Sequence, residues 1–303
     1  MPQSLISRRS AIKSALAVAA LGASAQAETL HVGGATLNVS LGSGACDLPA
    51  SAILDWISTA ANALTAYLGK FPVPSARIEI TIAPDRHGVR HGKSFGDRGV
   101  LTTVTIGQHI TVSELHDDWV LTHEMVHWAF PSVARRHHWI EEGSATYIEP
   151  IARGLVHNLT PERIWGDMLR DMHQGVPRPD EQGLDNTGSW ASTYWGGALF
   201  CLLADVQIRK QTQNKKGLQD AFRAINQAGG DIRVEWPLQK VFEIGDHATD
   251  GSTLQDLYQQ MGLHYKQVDL PALWQQLGVG SNSGGISFDD SAPLAAVRRR
   301  ISD

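Results

Sequence analysis

From about Ser113 onward the hydrophobic periodicity of this 303-residue chain is helical almost throughout, and that constrains the fold more than any other feature. Before it, apolar side chains tend to alternate. The run TLHVGGATLNVSL, residues 29–41, predicts a short hairpin turning at Gly33-Gly34. ARIEITIAP, bounded by Pro74 and Pro84, and GVLTTVTIG predict two strands, with RHGVRHGKSFGDRG as a Gly-rich loop between them. A helix precedes these strands in PASAILDWISTAANALTAYLGKF, where Ile53, Ile57, Ala60, Leu64 and Leu68 recur every three to four residues and Pro72 lies just beyond. After Ser113 almost every apolar pattern is helical, over 114–130, 139–154, 161–173, 191–212, 216–228, 237–243, 253–262 and 270–277. Strands first and helices second describe an α+β fold, with a small N-terminal β-rich part over 28–112, a mostly helical part over 113–280, and a cleft where they meet. The stretch 281–303 reads as a tail that begins as a flexible linker and ends in a short basic helix.

A hydrophobic fraction of 42%, a charged fraction of 19% and a net charge of -5 describe a globular chain without the basic footprint that nucleic acid requires. Cys46 and Cys201 permit one bridge at most, and the sequence does not choose between bridged and free. Residues 1–27, MPQSLISRRSAIKSALAVAALGASAQA, read as an export signal: a charged start, an apolar run too short to span a bilayer, and Ala25-Gln26-Ala27 as the cleavage site. SRRSAIK resembles the twin-arginine motif, with Arg8 and Arg9 as the pair and Lys13 as the following basic residue. The expectation is a bacterial protein passed to the export machinery, periplasmic or secreted, starting near Glu28 and not held in a membrane after signal removal. An ordinary Sec signal or an uncleaved anchor would fit the same residues.

The helical part opens with DDWVLTHEMVHWAFPSVARRHHWIEEGSATYIEP, residues 117–150. Residues four apart share a helix face, so His123 and His127 can offer two ring nitrogens to one metal ion. Glu124 lies about a third of a turn away, which completes the H-E-x-x-H arrangement in which the glutamate serves as base and not as ligand. Zinc in such sites takes three protein ligands and leaves a position for a water whose pKa it lowers toward neutrality. On spacing alone the pattern also fits a surface helix with two solvated histidines. Val133 occupies the position where a metzincin would carry its third histidine, so that class is excluded.

WIEEGSATYIE resembles the glutamate-bearing helix of the gluzincins, in particular the aminopeptidase N and glycyl aminopeptidase families, where a tryptophan is followed by EG, a small residue and a tyrosine. The resemblance implies a thermolysin-like helical part, one zinc per chain held by His123, His127 and Glu142, and a peptide or protein substrate. Glu141 lies about 100° round the helix and is expected to point elsewhere. Glu149, two turns after Glu142, is expected either to support a ligand histidine or to form a surface ion pair. Residues 128–141 make a shorter connection than those families use, so Pro131 must end the first helix promptly, leaving room for His137 or His138 as a ligand or substrate contact.

STYWGGALFCLLADVQIR resembles the later gluzincin segment in which a tyrosine precedes a glycine-bearing turn and a long apolar helix. This puts Tyr194 in the role of hydrogen-bond donor to the developing oxyanion; on packing grounds alone it could equally start a helix. GVLTTVTIG stands where the family's edge strand aligns the substrate backbone. The exopeptidase signature GxMEN is not found, SFGDRGV standing near its place without matching. Of Trp128, Trp139, Trp190 and Trp195, most would pack helices and one or two would line a substrate pocket. The likeness spans roughly residues 95–210 and implies an exported zinc-dependent peptidase of gluzincin type, with Glu124 and Tyr194 catalytic. The other readings are a non-catalytic zinc-binding envelope or interaction module, and a zinc hydrolase of a non-peptide amide or ester.

Overall fold

The computed structural model describes residues 26–302. The export signal, with Arg8, Arg9 and Lys13, lies outside the described residues except for Gln26 and Ala27, which begin the first strand. Strands β1 (Gln26–Val32) and β2 (Ala35–Leu41) form the expected hairpin, with Gly33 and Gly34 at φ 57° and 84°, a left-handed turn that side chains disfavour. Helix α1 (Ala50–Leu68) follows and ends on Gly69, also left-handed. Its buried face, including Ile53, Ile57, Ala60 and Leu64, has the periodicity read from the sequence, and each buried Ile or Leu is worth about 1.5–3 kcal/mol.

Strands β3 (Ser75–Ala83), β4 (Val89–Phe95) and β5 (Leu101–Gly107) complete a five-stranded sheet in the order β1-β2-β3-β5-β4. β2, β3 and β5 run parallel, while β1 and β4 are antiparallel to their neighbours. Two expectations change here. The segment read as a Gly-rich loop contains β4, and β4 is the edge strand, whereas GVLTTVTIG, as β5, is enclosed between β3 and β4. Of the half-buried positions of β4, Val89, Gly92 and Ser94, only Val89 is apolar, which gives no alternating hydrophobic signal.

The helical part begins with α2 (Val112–Asp117) and α3 (Val120–Val126), the latter continued by a 3₁₀ turn over His127–Ala129. The single helix expected over 114–130 is thus broken at Asp118. The carboxylate of that residue accepts from the backbone N–H of Val120 (3.0 Å) and Leu121 (3.0 Å), capping α3 at the expense of continuity with α2. Then come α4 (His138–Leu155), α5 (Pro161–Asp171), a π-helical turn over Ser192–Gly196, α6 (Gly197–Gln211), α7 (Leu218–Gln227), α8 (Leu238–Ala248), α9 (Thr253–Leu257) and α10 (Leu270–Leu277). Residues read as a linker instead pair as β6 (Val279–Asn282) and β7 (Gly285–Phe288), and the basic end forms α11 (Ala295–Ser302). Arg298 explains why α11 is docked: its buried guanidinium donates to the carbonyls of Leu277 (3.1 Å) and Gly278 (2.9 Å) and lies 4.5 Å over the Phe288 ring.

Helices α4 and α6 meet at two glycines. A Cβ added to Gly143 would come 2.2 Å from the Gly197 backbone, so only glycine permits this approach. Cys46 and Cys201 are both free, and no helix among the described residues is long and apolar enough to cross a membrane.

Candidate metal centre

Helix α3 carries His123 and the 3₁₀ turn that continues it carries His127, with ring centroids 5.1 Å from each other. Helix α4 faces it and supplies Glu142, whose Oε2 lies 3.1 Å from His123 Nε2 and 3.7 Å from His127 Nε2. One ligand atom from each of the three residues falls within 4.8 Å of the others. The chemistry of this set suits a zinc ion. Burial pulls His127 down to about 4, so its imidazole is neutral near pH 7, the form that binds metal. Burial would raise Glu142, but hydrogen bonds from His123 and His138 outweigh it and hold the carboxyl well below the usual range. Two imidazoles and one carboxylate, with no fourth protein ligand among the described residues, match the donors of an open zinc site.

The side of Glu142 away from the histidine pair is also held. His138 Nε2 stands 3.2 Å from Glu142 Oε1, and His138 Nδ1 stands 2.8 Å from Glu141 Oε2. Hydrogen bonds to Glu141 and then Glu142 push His138 up to about 10, so it is an imidazolium that donates to both. The other Glu141 oxygen accepts from the Val133 N–H at 3.3 Å, bracing the short connection between α3 and α4. His137, the second histidine left open by sequence, turns away. It accepts from Arg136 Nε (3.0 Å) and donates through Nδ1 to Asp185 (2.8 Å), which also takes hydrogen bonds from Trp139 Nε1 (2.8 Å) and the Tyr258 hydroxyl (2.6 Å). Glu149 pairs with Arg153 at 2.8 Å in the interior, not at the surface, and burial pushes its carboxyl up to about 7. No hydrogen bond joins Glu149 to His123, whose Nδ1 is buried without a partner.

Glu124 faces β4. A Cβ on Gly92 would come 2.6 Å from Glu124 Cγ, so the missing side chain is what lets the strand lie against this glutamate. Ser94 donates to the Glu124 carbonyl at 2.9 Å, tying strand to helix. Burial raises the Glu124 carboxyl above the ordinary carboxylate value, against the pull of His123 and Ser94.

Tyr194 belongs to the π-helical turn just before α6 and stacks on His123, centroids 6.0 Å apart at 16°. Burial, then the charge of Glu142 and a hydrogen bond with it, push the phenol up, so it stays a proton donor at any working pH. Trp190 stacks on the far face of this tyrosine at 5.2 Å.

Two cavities flank the cluster and share Tyr194. One, of about 490 Å³, runs along the edge strand and is lined by Gly92, Ser94, Glu124, His127, His138 and Glu142. The other, of about 270 Å³, opens on the His123 side among Trp119, Met168, Trp190 and Trp195. Trp128 and Trp139 are core residues, Trp128 donating to Thr102 Oγ1 at 2.9 Å. Sequence reasoning missed Gly92, although the HGKSFG stretch sits immediately before β5 and a glycine within a strand signals a close approach.

No protein-family profile and no curated protein matches the sequence. Among solved structures the chain is similar to an aminopeptidase N family protein from Idiomarina loihiensis, at 16% identity and a TM-score of 0.65, over 84% of this chain and 49% of that one. It is also similar to an M1 zinc metallopeptidase from Deinococcus radiodurans, at 15% identity and TM-score 0.52, over 82% and 53% of the two chains. A variant of that enzyme bound to a Tyr-Ser-Ala substrate matches at 14% identity and TM-score 0.53, over the same shares. The chain therefore spans about half the length of the structures it matches. At these identities the likeness concerns the fold alone, which is of the kind seen in the M1 zinc metallopeptidases.

Proposed function

We propose that this chain is a zinc-dependent peptidase whose catalytic unit lies within residues 28–280. The observation that carries the reading is the convergence of His123, His127 and Glu142 within 4.8 Å beside Glu124, Tyr194 and an open strand edge. A structural zinc would need neither an unligated acid nor a phenol aimed at the site, and would close its fourth position. A zinc ion held by the three ligands supplies Lewis acidity and an activated water. Glu124, its carboxyl raised by burial, takes the proton from the attacking water and returns it to the leaving amine. The Tyr194 hydroxyl donates to the oxyanion of the tetrahedral intermediate. The free edge of β4 offers N–H and C=O groups that hold a peptide extended across Glu124, the role expected of β5 from sequence. The M1 structure of similar fold bound to a Tyr-Ser-Ala substrate supports a peptide over a non-peptide amide or ester.

The test is metal analysis of the purified protein with a peptide-library cleavage assay, with and without chelator. The expected result is about one zinc per chain and chelator-sensitive cleavage. Zinc without cleavage of any peptide would favour the binding-module reading, and a chain that takes up no zinc would sink both.

We further propose that residues 1–27 direct export to the periplasm or beyond by the twin-arginine route. A reporter fused to them should be exported, and lysines at Arg8 and Arg9 should block it; unaffected export would point to the Sec route.

A further inference from the structure

Exposed aromatic rings that stay in water need a reason. Trp190 and Trp119 are 62% and 52% exposed, and both stand at the mouth of the cavity on the His123 side. They are not scattered. Trp190 stacks on Tyr194, Tyr194 stacks on His123, and Trp119 meets His123 edge-on at 5.3 Å, giving an aromatic wall that runs from solvent to the metal ligands. Met168, Met172 and Trp195 continue the wall inward. Most charges near the rim are paired: Arg163 and Arg170 hold Asp167 at 2.7 Å each, Arg170 also holds Asp171, and Arg153 holds Glu149, while Asp117 stands 3.6 Å from His116. What is left for a ligand is mostly apolar surface. At about 270 Å³ the cavity suits one side chain rather than a length of chain, and it is continuous with Tyr194, which lines both cavities.

We propose that this cavity is the specificity pocket of the peptidase site and takes a large apolar side chain, aromatic above all, from one residue flanking the scissile bond. The proposal rests on the peptidase reading for the identity of its ligand. Trp119 and Trp190 are its specificity determinants: they supply flat, rigid apolar contact with little conformational entropy to lose. The flexible thioethers of Met168 and Met172 adapt the floor to rings of different shape.

The test separates binding from turnover. Blocked alanine-rich hexapeptides carrying a single Phe, Leu, Ala or Asp at each central position are titrated by calorimetry against the zinc-loaded Glu124→Gln protein, and the same set is assayed for cleavage by the wild type. One position should favour Phe over Ala by at least about tenfold in Kd and should reject Asp. In Trp190→Ala and Trp119→Ala that preference should shrink several-fold while zinc content and Tm hold. A pair of milder variants, Trp190→Phe and Trp119→Phe, should restore most of it. Equal binding of Phe and Ala peptides, binding of none, or a preference untouched by either alanine substitution would overturn the pocket. Phe-selective binding without any cleavage by the wild type would overturn the peptidase reading and leave the pocket standing.

Discussion

Three side chains around the cluster have separable roles. Glu124→Gln keeps the shape of the side chain but cannot take a proton; kcat should fall by roughly 10²–10⁴-fold while zinc content and Tm stay near wild type. Tyr194→Phe removes a donor that acts in the transition state, so kcat should drop about a hundredfold with KM little changed and zinc retained. Unaltered turnover in that variant would remove Tyr194 from the chemistry. His138→Ala should act on the metal instead. Its imidazolium holds Glu142 Oε1, leaving Oε2 toward His123 and His127, so its loss should weaken zinc binding by about 10–100-fold in a chelator competition. Spacing alone put His123, His127 and Glu124 on one turn, because helical period is a local property. Glu142 and Tyr194 needed the family likeness, since no local rule says which distant helix will face α3. The split between His138 and His137 was not legible at all: it depends on where a short connection turns, and that is fixed by Glu141 reaching back to Val133.

At the scale of elements, two close approaches aim the machinery. Gly143→Ala would drive a Cβ into the Gly197 backbone at 2.2 Å, and neither helix can yield locally. Destabilisation of about 1–3 kcal/mol, read by denaturant melts, should accompany lost turnover, because the π-helical turn bearing Tyr194 would shift with α6. Gly92→Ala meets two side chains of α3 rather than backbone, Glu124 Cγ at 2.6 Å and Val120 Cγ1 at 2.9 Å. There the melt should move less than for Gly143→Ala while kcat falls by up to about a hundredfold, the scale of misplacing a reacting group by an ångström. The glycine after Glu142 thus has a packing reason that the motif alone does not state. The β3 and β5 strands and most helices were readable because their buried faces repeat regularly. β4 was not, since an edge strand packed by Gly92 and Ser94 carries no apolar stripe, and the α2–α3 break was hidden because Asp118 competes with the backbone through its own carboxylate.

Across the whole molecule, α3 and α4 are joined by Glu142's contacts to His123 and His127, so a zinc ion there would fasten the two helices that frame the cleft. Zinc at a thousandfold excess over its Kd would add about 4 kcal/mol, and chelation should lower Tm by roughly 10 °C, reversed by restoring zinc. A His123→Ala/His127→Ala protein should show no such shift. The open edge of β4 has a consequence for the molecule in a crowd. Its unpaired N–H and C=O groups cannot distinguish a substrate peptide from a strand of a neighbouring copy, so the chain carries a built-in route to aggregation. Exposed Arg90, His91 and Lys93, and the irregular pairing between Val89 and His91, are the safeguards against it. Lys93→Val should leave the fold intact yet make concentrated solutions scatter light and bind amyloid dyes sooner than wild type. An edge that must stay sticky enough for one partner is kept from the rest by its charges and its broken register.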